Sequence, residues 1–177
     1  MKKEFLLPDG IEIDIEGLAI RLKSKNGVIE KDFRSPLFSK YIKIGKEGNK
    51  ITVSSSTDKK KIKAMVGTIV ALIKAYSKGL LEGYTYRLKI AYVHFPFTVK
   101  VEGNNVIINN FLGEKSPRKA KILGDTKVTV KGSDIIVTGY NLDHVSQTAA
   151  NIETATRLTG RDRRVFQDGC FIVKKKG

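Results

Sequence analysis

The stretch IDIEGLAI, residues 13–20, returns later in the chain as VKVEGNNV, residues 99–106. Each copy alternates apolar and polar residues, reaches Glu-Gly, and then returns to an apolar residue. The correspondence holds over a long range. At one constant offset Gly27 matches Gly113, and Tyr41-Ile42-Lys43-Ile44 matches Lys127-Val128-Thr129-Val130. Slightly out of step, GNKITV at 48–53 echoes GSDIIV at 132–137. Two copies are too few for a solenoid, which needs about three or more repeats to bury a continuous core. The chain is therefore expected to close two small cores.

Each copy then turns helical. Ile62, Met65, Val66, Ile69, Leu72, Ile73 and Tyr76 recur at three- and four-residue spacing, one face of a helix. Asp58 or a nearby Ser or Thr is placed to cap its start, and Gly79 to end it. In the second copy Leu142, Val145, Ala149 and Ile152 repeat the pattern, with Asn141 as the cap and Gly160 beyond the end. Between the copies, near residues 79–83, the chain changes domain. YTYRLKIAY then reads as a strand with Tyr84, Tyr86, Leu88, Ile90 and Tyr92 on one face. The expected architecture is α+β. Two similar tandem domains, residues 1–82 and 83–177, each pack antiparallel β-sheet and one α-helix around a single core.

Charge decides what such a chain can bind. Lys and Arg number 33 against 18 Asp and Glu, a net charge of +15 and a pI near 9.9. Both halves are basic, so this is no neutral domain with a basic tail. An excess of this kind points to a polyanionic partner, most often nucleic acid. Other classes lose support. Cys170 is the single cysteine, which excludes an internal disulfide and suits a reducing cytosol. Two His and one Cys do not supply an ordinary zinc site, and no cofactor is expected. No apolar run approaches the roughly 18 residues of a membrane span, and MKKEFLLPDG lacks a secretory core.

Catalytic groups do not assemble either. His94 sits among aromatics in AYVHFPF, and His144 has no nucleophile near it in sequence. Cys170, between Gly169 and Phe171, reads as a buried small residue. IGKEGNK lacks the GxxxxGK[ST] spacing of a phosphate loop and reads as a hairpin turn. Glu12, Asp14 and Glu16 alternate along one strand face, a solvated surface that would repel phosphates. No small-molecule substrate is expected.

Three basic groups remain. One is the loop-like segment GEKSPRKAK, with Gly113, Lys115, Ser116, Arg118, Lys119 and Lys121. A second is RLTGRDRR, with Arg157, Arg161, Arg163 and Arg164, followed by Lys174, Lys175 and Lys176. Planar guanidiniums suit phosphate forks and stack on bases. Asp162 and Asp168 are the carboxylates nearest them in sequence. Lys59, Lys60, Lys61 and Lys63 at the first helix start form the weakest group, because positive charge there opposes the helix dipole. Without an RNP-type aromatic sheet, a GXXG loop or a helix-turn-helix, the expected mode is backbone and shape recognition.

The segments Tyr92-Val93-His94-Phe95-Pro96 and Asn110-Phe111-Leu112-Gly113-Glu114-Lys115, with the later DRRVFQDGCFI at 162–172, resemble ribosomal large-subunit protein six in its archaeal and eukaryotic form, numbered nine in eukaryotes. Val93 stands where the family has Ala. The resemblance covers essentially the whole chain and implies a structural, non-enzymatic protein of the cytoplasmic ribosome. It further implies contact with large-subunit rRNA near the sarcin–ricin loop, mainly through the second domain. Neighbouring ribosomal proteins near the stalk base would be partners, and no membrane would be involved. An RNA-processing or RNA-modifying protein would need convergent acid, base or metal ligands. A basic adaptor for an acidic protein would keep its complexes after nuclease treatment.

Overall fold

The computed structural model describes residues 2–36 and 38–176, and these divide into two compact units that meet at Glu82 and Gly83. The first unit contains β1 (Lys2–Leu6), β2 (Glu12–Glu16), β3 (Ala19–Ser24), β4 (Gly27–Asp32), β5 (Ile42–Glu47), β6 (Lys50–Ser55) and α1 (Lys60–Glu82). The second contains β7 (Tyr84–Ala91), β8 (Thr98–Glu102), β9 (Asn105–Asn109), β10 (Arg118–Lys121), β11 (Lys127–Lys131), β12 (Asp134–Gly139), α2 (Leu142–Ala155) and β13 (Gly169–Lys176).

The duplication seen in sequence is a duplication of topology. In the first unit β2, β3 and β4 form a meander, and β1, β6 and β5 form a second antiparallel sheet. In the other, β8, β9 and β10 form the meander, and β11, β12 and β7 are joined by β13 at the edge. Each unit thus has two sheets and one helix. In each repeated Glu-Gly pair the Glu ends a strand and the Gly opens the turn of the β2–β3 or β8–β9 hairpin. Gly17 (φ +67°) and Gly103 (φ +56°) hold the left-handed conformation that such tight turns require.

In the first unit α1 packs on β1, β3, β4 and β6. Ile62, Val66, Ile69, Ile73, Tyr76 and Leu80 form its buried face. By length and composition alone α1 could cross a membrane, with mean hydropathy 1.4 over its most apolar 18 residues. Its spacing explains that value differently: the apolar face packs on the two sheets. The helix does not stop at Gly79, which is buried inside it; it runs to Glu82, and Gly83 (φ +73°) ends it. Asp58, just before its start, pairs with Lys63 at 3.1 Å. Glu12, Asp14 and Glu16 are exposed on β2, where Lys23 and Arg21 stand opposite Glu12 and Asp14 on β3.

In the second unit Tyr84, Tyr86, Leu88 and Ile90 face a core shared with Val106, Ile108, Ile135, Val137, Val145, Ala149 and Ile152. Tyr92 does not continue that face. β7 ends at Ala91, and Tyr92 lies beyond it, exposed. Asn141 caps α2 as expected, its side chain accepting from the Asp143 N–H. Cys170 is fully buried, and burial pushes its thiol up to about 12 despite a hydrogen bond from Thr156 that opposes the shift. The thiolate is the reactive form. A thiol reagent at pH 8 is therefore expected to leave Cys170 unmodified in the native protein and to label it fully in denaturant. Rapid native labelling, followed by mass spectrometry, would show that β13 opens readily.

Candidate nucleic-acid interface

The segment that reads as a basic loop is half strand. After β9, Asn110 (φ 60°, ψ 31°) and Leu112 (φ 50°, ψ 33°) both adopt the left-handed conformation, which costs a non-glycine residue roughly 1–2 kcal/mol. The reversal drives Phe111 into the core, where it meets Phe97 edge to face at 5.2 Å. Asn110 Nδ2 donates to Pro96 O at 3.0 Å. The chain then enters β10, and strand alternation sorts the cations. Arg118 and Ala120 face inward; Lys119 and Lys121 face solvent.

Arg118 is therefore not a free cation. Its guanidinium forks onto the Glu114 carboxylate at 2.8 and 2.5 Å. Nη1 donates to the carbonyls of Ala155 and Arg157 at 2.9 and 3.4 Å, and the group lies 4.4 Å over the Phe111 ring. Ala155 ends α2, so Arg118 supplies both a donor and a positive charge to the helix C-terminus. Arg118 holds the Glu114 carboxyl below the usual carboxylate range, and the Arg161 charge adds to this. Strand parity turns Arg118, one of the cations expected to meet RNA, inward, where it fastens the 110–118 segment to α2.

The Arg-rich segment, residues 157–168, lies between α2 and β13. Arg164 pairs with Asp162 at 2.9 Å, and its own backbone N–H bonds the same carboxylate. These bonds hold the Asp162 carboxyl below its usual range. Arg161 lies 4.8 Å over one face of Phe166, and His94 stacks on that ring at 4.5 Å. Asp168 forms no arginine pair among the described residues. Only 2% exposed, it accepts from the His94 ring at 2.9 Å and from the Val93 and His94 N–H groups at 3.0 and 3.2 Å. Burial pushes its carboxyl up, but these three bonds together outweigh burial and hold it below the ordinary value. His94 is thus a positioned side chain beside a buried carboxylate.

Three segments converge through these contacts: 92–97, 110–118 and 157–168. Through the bond of Arg118 to Arg157 O and the Arg161 charge felt at Glu114, the stretch that carries Gly113, Lys115 and Ser116 is linked to the segment that carries Arg157, Arg161, Arg163 and Arg164. Among the described residues Lys115, Lys119, Lys121, Arg157, Arg161 and Arg163 form no ion pair. Gly113 and Gly160 have left-handed backbones with open space where a Cβ would project, so a ligand can approach the main chain there. Lys174 and Lys175 are exposed but lie elsewhere. Gly169 pairs with Ala91, whereas Lys175 and Lys176 pair with Tyr86 and Thr85 at the far end of β7. Lys175 sits 5.7 Å over the Tyr86 ring.

Sequence reading missed the groups that build this face: Glu114, Phe111, Asp168 and Phe166. Their roles depend on partners remote in the chain. The one local clue was Asp168 beside an apolar run, a position where a carboxylate needs donors.

A family model described as ribosomal protein L6 matches residues 95–169. The chain is 49% identical over 174 residues to the large ribosomal subunit protein uL6 of Sulfurisphaera tokodaii, with 98% of this chain and 92% of that protein aligned. It is 47% identical over 176 residues to the uL6 of Saccharolobus solfataricus, with 99% and 96% aligned. The uL6 of Methanobrevibacter smithii is 42% identical over 176 residues, with 99% and 97% aligned. Similarity of this degree along nearly the full length of both partners makes the chain a member of the ribosomal protein L6 family.

Proposed function

We propose that the protein is a structural constituent of the large ribosomal subunit in the cytoplasm, not an enzyme, and that its C-terminal unit binds large-subunit rRNA. The relatives' shared name supports the first part. The second rests on one observation: cations free of ion pairs surround a face whose backbone is fixed by buried contacts. Lys115, Lys119, Lys121, Arg157, Arg161 and Arg163 would neutralise phosphates and release condensed counterions. Gly113, Ser116 and Gly160 would let the RNA backbone approach, and Lys174 and Lys175 would add a separate anchor. The place in the subunit implied by the family resemblance is near the sarcin–ricin loop and the stalk base, beside neighbouring ribosomal proteins.

The fixed backbone matters because binding then orders few residues. Each immobilised flexible side chain costs about 0.5–1.5 kcal/mol on association. In the variant with Lys115, Lys119 and Lys121 all changed to Ala, affinity for large-subunit rRNA fragments is expected to fall about 10- to 100-fold at moderate salt. The slope of log K against log salt should become shallower by about two, at roughly 0.7–0.9 for each phosphate no longer neutralised. Filter binding over a salt series measures both. Unchanged affinity and slope would remove these lysines from the interface.

A further inference from the structure

A cleft of about 620 Å³ opens in the second unit between the end of α2, the 157–168 segment and the start of β13. Leu158 and the rings of Phe166 and Phe171 give it apolar walls; Arg157 and Arg163 stand in its lining with Glu153. We propose that this cleft receives one unpaired nucleotide of the bound RNA, its base against Phe171 and its phosphate on Arg157 and Arg163. The inference rests on the RNA-binding reading and deepens it from backbone contact to capture of a base.

The lining selects the occupant by its chemistry. A bare phosphate would use the guanidiniums but gain nothing from Leu158 and Phe171. A purely apolar ligand would leave two unpaired guanidiniums at its side. A nucleotide carries both a flat apolar face and an anionic phosphate. The volume lies within the roughly 300–1,000 Å³ range of sites that enclose small organic groups. A paired base cannot enter, since its faces are stacked within the duplex; protein recognition of RNA bases largely targets unstacked ones.

Two local features suit the base. Phe171 keeps a face for stacking, because the His94 ring and the Arg161 guanidinium lie against Phe166 instead. Its ring lies over Gly169, where a Cβ would stand 3.1 Å from Phe171 Cζ, so glycine there lets the ring lie flat. Glu153 Oε1 accepts from the Ile172 N–H at 3.1 Å, and Oε2 has no partner among the described residues. That oxygen can accept from an exocyclic amine, as carboxylates do from cytosine N4. Adenosine, which carries such an amine, should therefore be favoured over uridine, which does not.

Three labelled hairpin RNAs, differing only in having a fully paired stem, one bulged adenosine or one bulged uridine, test this with the full-length protein by fluorescence anisotropy at fixed salt. The adenosine bulge is expected to bind about tenfold more tightly than the paired stem, within what stacking of a single base gives. The uridine bulge should fall between them. Phe171→Ala should abolish the preference for the bulge while leaving the salt slope unchanged. Phe171 is 36% exposed, and a melting curve checks that the variant is folded. Equal affinity of the wild-type protein for paired and bulged stems would overturn the inference, with no variant needed. Persistence of the preference in a folded Phe171→Ala protein would overturn it too. Equal binding of the two bulges would remove Glu153 from base recognition. Failure to bind any hairpin, with no dependence on salt, would overturn the RNA-binding reading itself.

Discussion

Asp168→Ala should lower the unfolding free energy by about 2–4 kcal/mol, because three donors lose their buried acceptor; one hydrogen bond to a charged group contributes about 1.5–3 kcal/mol net, and the three do not add in full because the donors on exposed Val93 and His94 regain water. Among the described residues Asp168 alone ties residues 93 and 94 to the 157–168 segment by hydrogen bonds, through Val93 N–H, His94 N–H and the His94 ring. Its removal should also raise hydrogen exchange at those two amides. Asp168→Asn should be milder, since an amide oxygen can still accept from the two N–H groups but carries no charge. Urea denaturation of the three proteins measures the order. A loss below about 0.5 kcal/mol for the alanine variant, typical of surface positions, would mean that the contacts are made only weakly in solution.

The pH dependence has a definite sign. The folded Asp168 carboxyl is held below its ordinary value, so the folded state binds its proton less readily than the unfolded state. Its stabilising contribution is then fully present above the unfolded carboxylate pKa of about 3.9 and is lost as pH falls through the lower folded value. The stability difference between wild type and Asp168→Asn should accordingly shrink as the solution is acidified below about pH 4.

Arg118→Ala should cost about 1.5–3 kcal/mol, unlike loss of the neighbouring lysines, because it removes a charged donor from the α2 carbonyls and leaves Glu114 without its partner. The Glu114–Arg118 pair alone would contribute little, being partly exposed, where such pairs give about 0–1 kcal/mol. The bond to Ala155 O and the contact over Phe111 supply the rest. The triple lysine variant should show the opposite pattern: RNA affinity falls and the melting temperature stays. Combined thermal melts and RNA titrations on both variants separate the roles. Equal stability of Arg118→Ala and wild type would return Arg118 to the set of free cations.

Much of the fold was legible because duplication and periodicity are local. The repeated Glu-Gly stretches, the apolar face of α1, the Asn141 cap and the order of strands and helix in each copy all lie within short windows. Errors arose where a local rule competed with tertiary contact. Gly79 resembles a helix stop, yet Leu80 beyond it still finds a core to fill, so α1 continues to Glu82. Tyr92 fits the alternation of β7, but the strand ends at Ala91, and the next residues turn to meet Asp168. RKAK has too few apolar residues to declare itself a strand; only pairing with β9 makes it one.

The sequence by itself determined that two similar α+β units would form and that the molecule would carry a large positive charge, since periodicity and net charge are sums over neighbouring or all residues. Which cations stay available was decided only in three dimensions. Arg118 reaches a carbonyl 37 residues away and His94 a carboxylate 74 residues away, and each contact exists because sheets and helix bring those groups within hydrogen-bond range. Identical charges in one short segment thereby separate into Arg118, which holds the fold, and Lys119 and Lys121, which face the solvent where a phosphate can reach them.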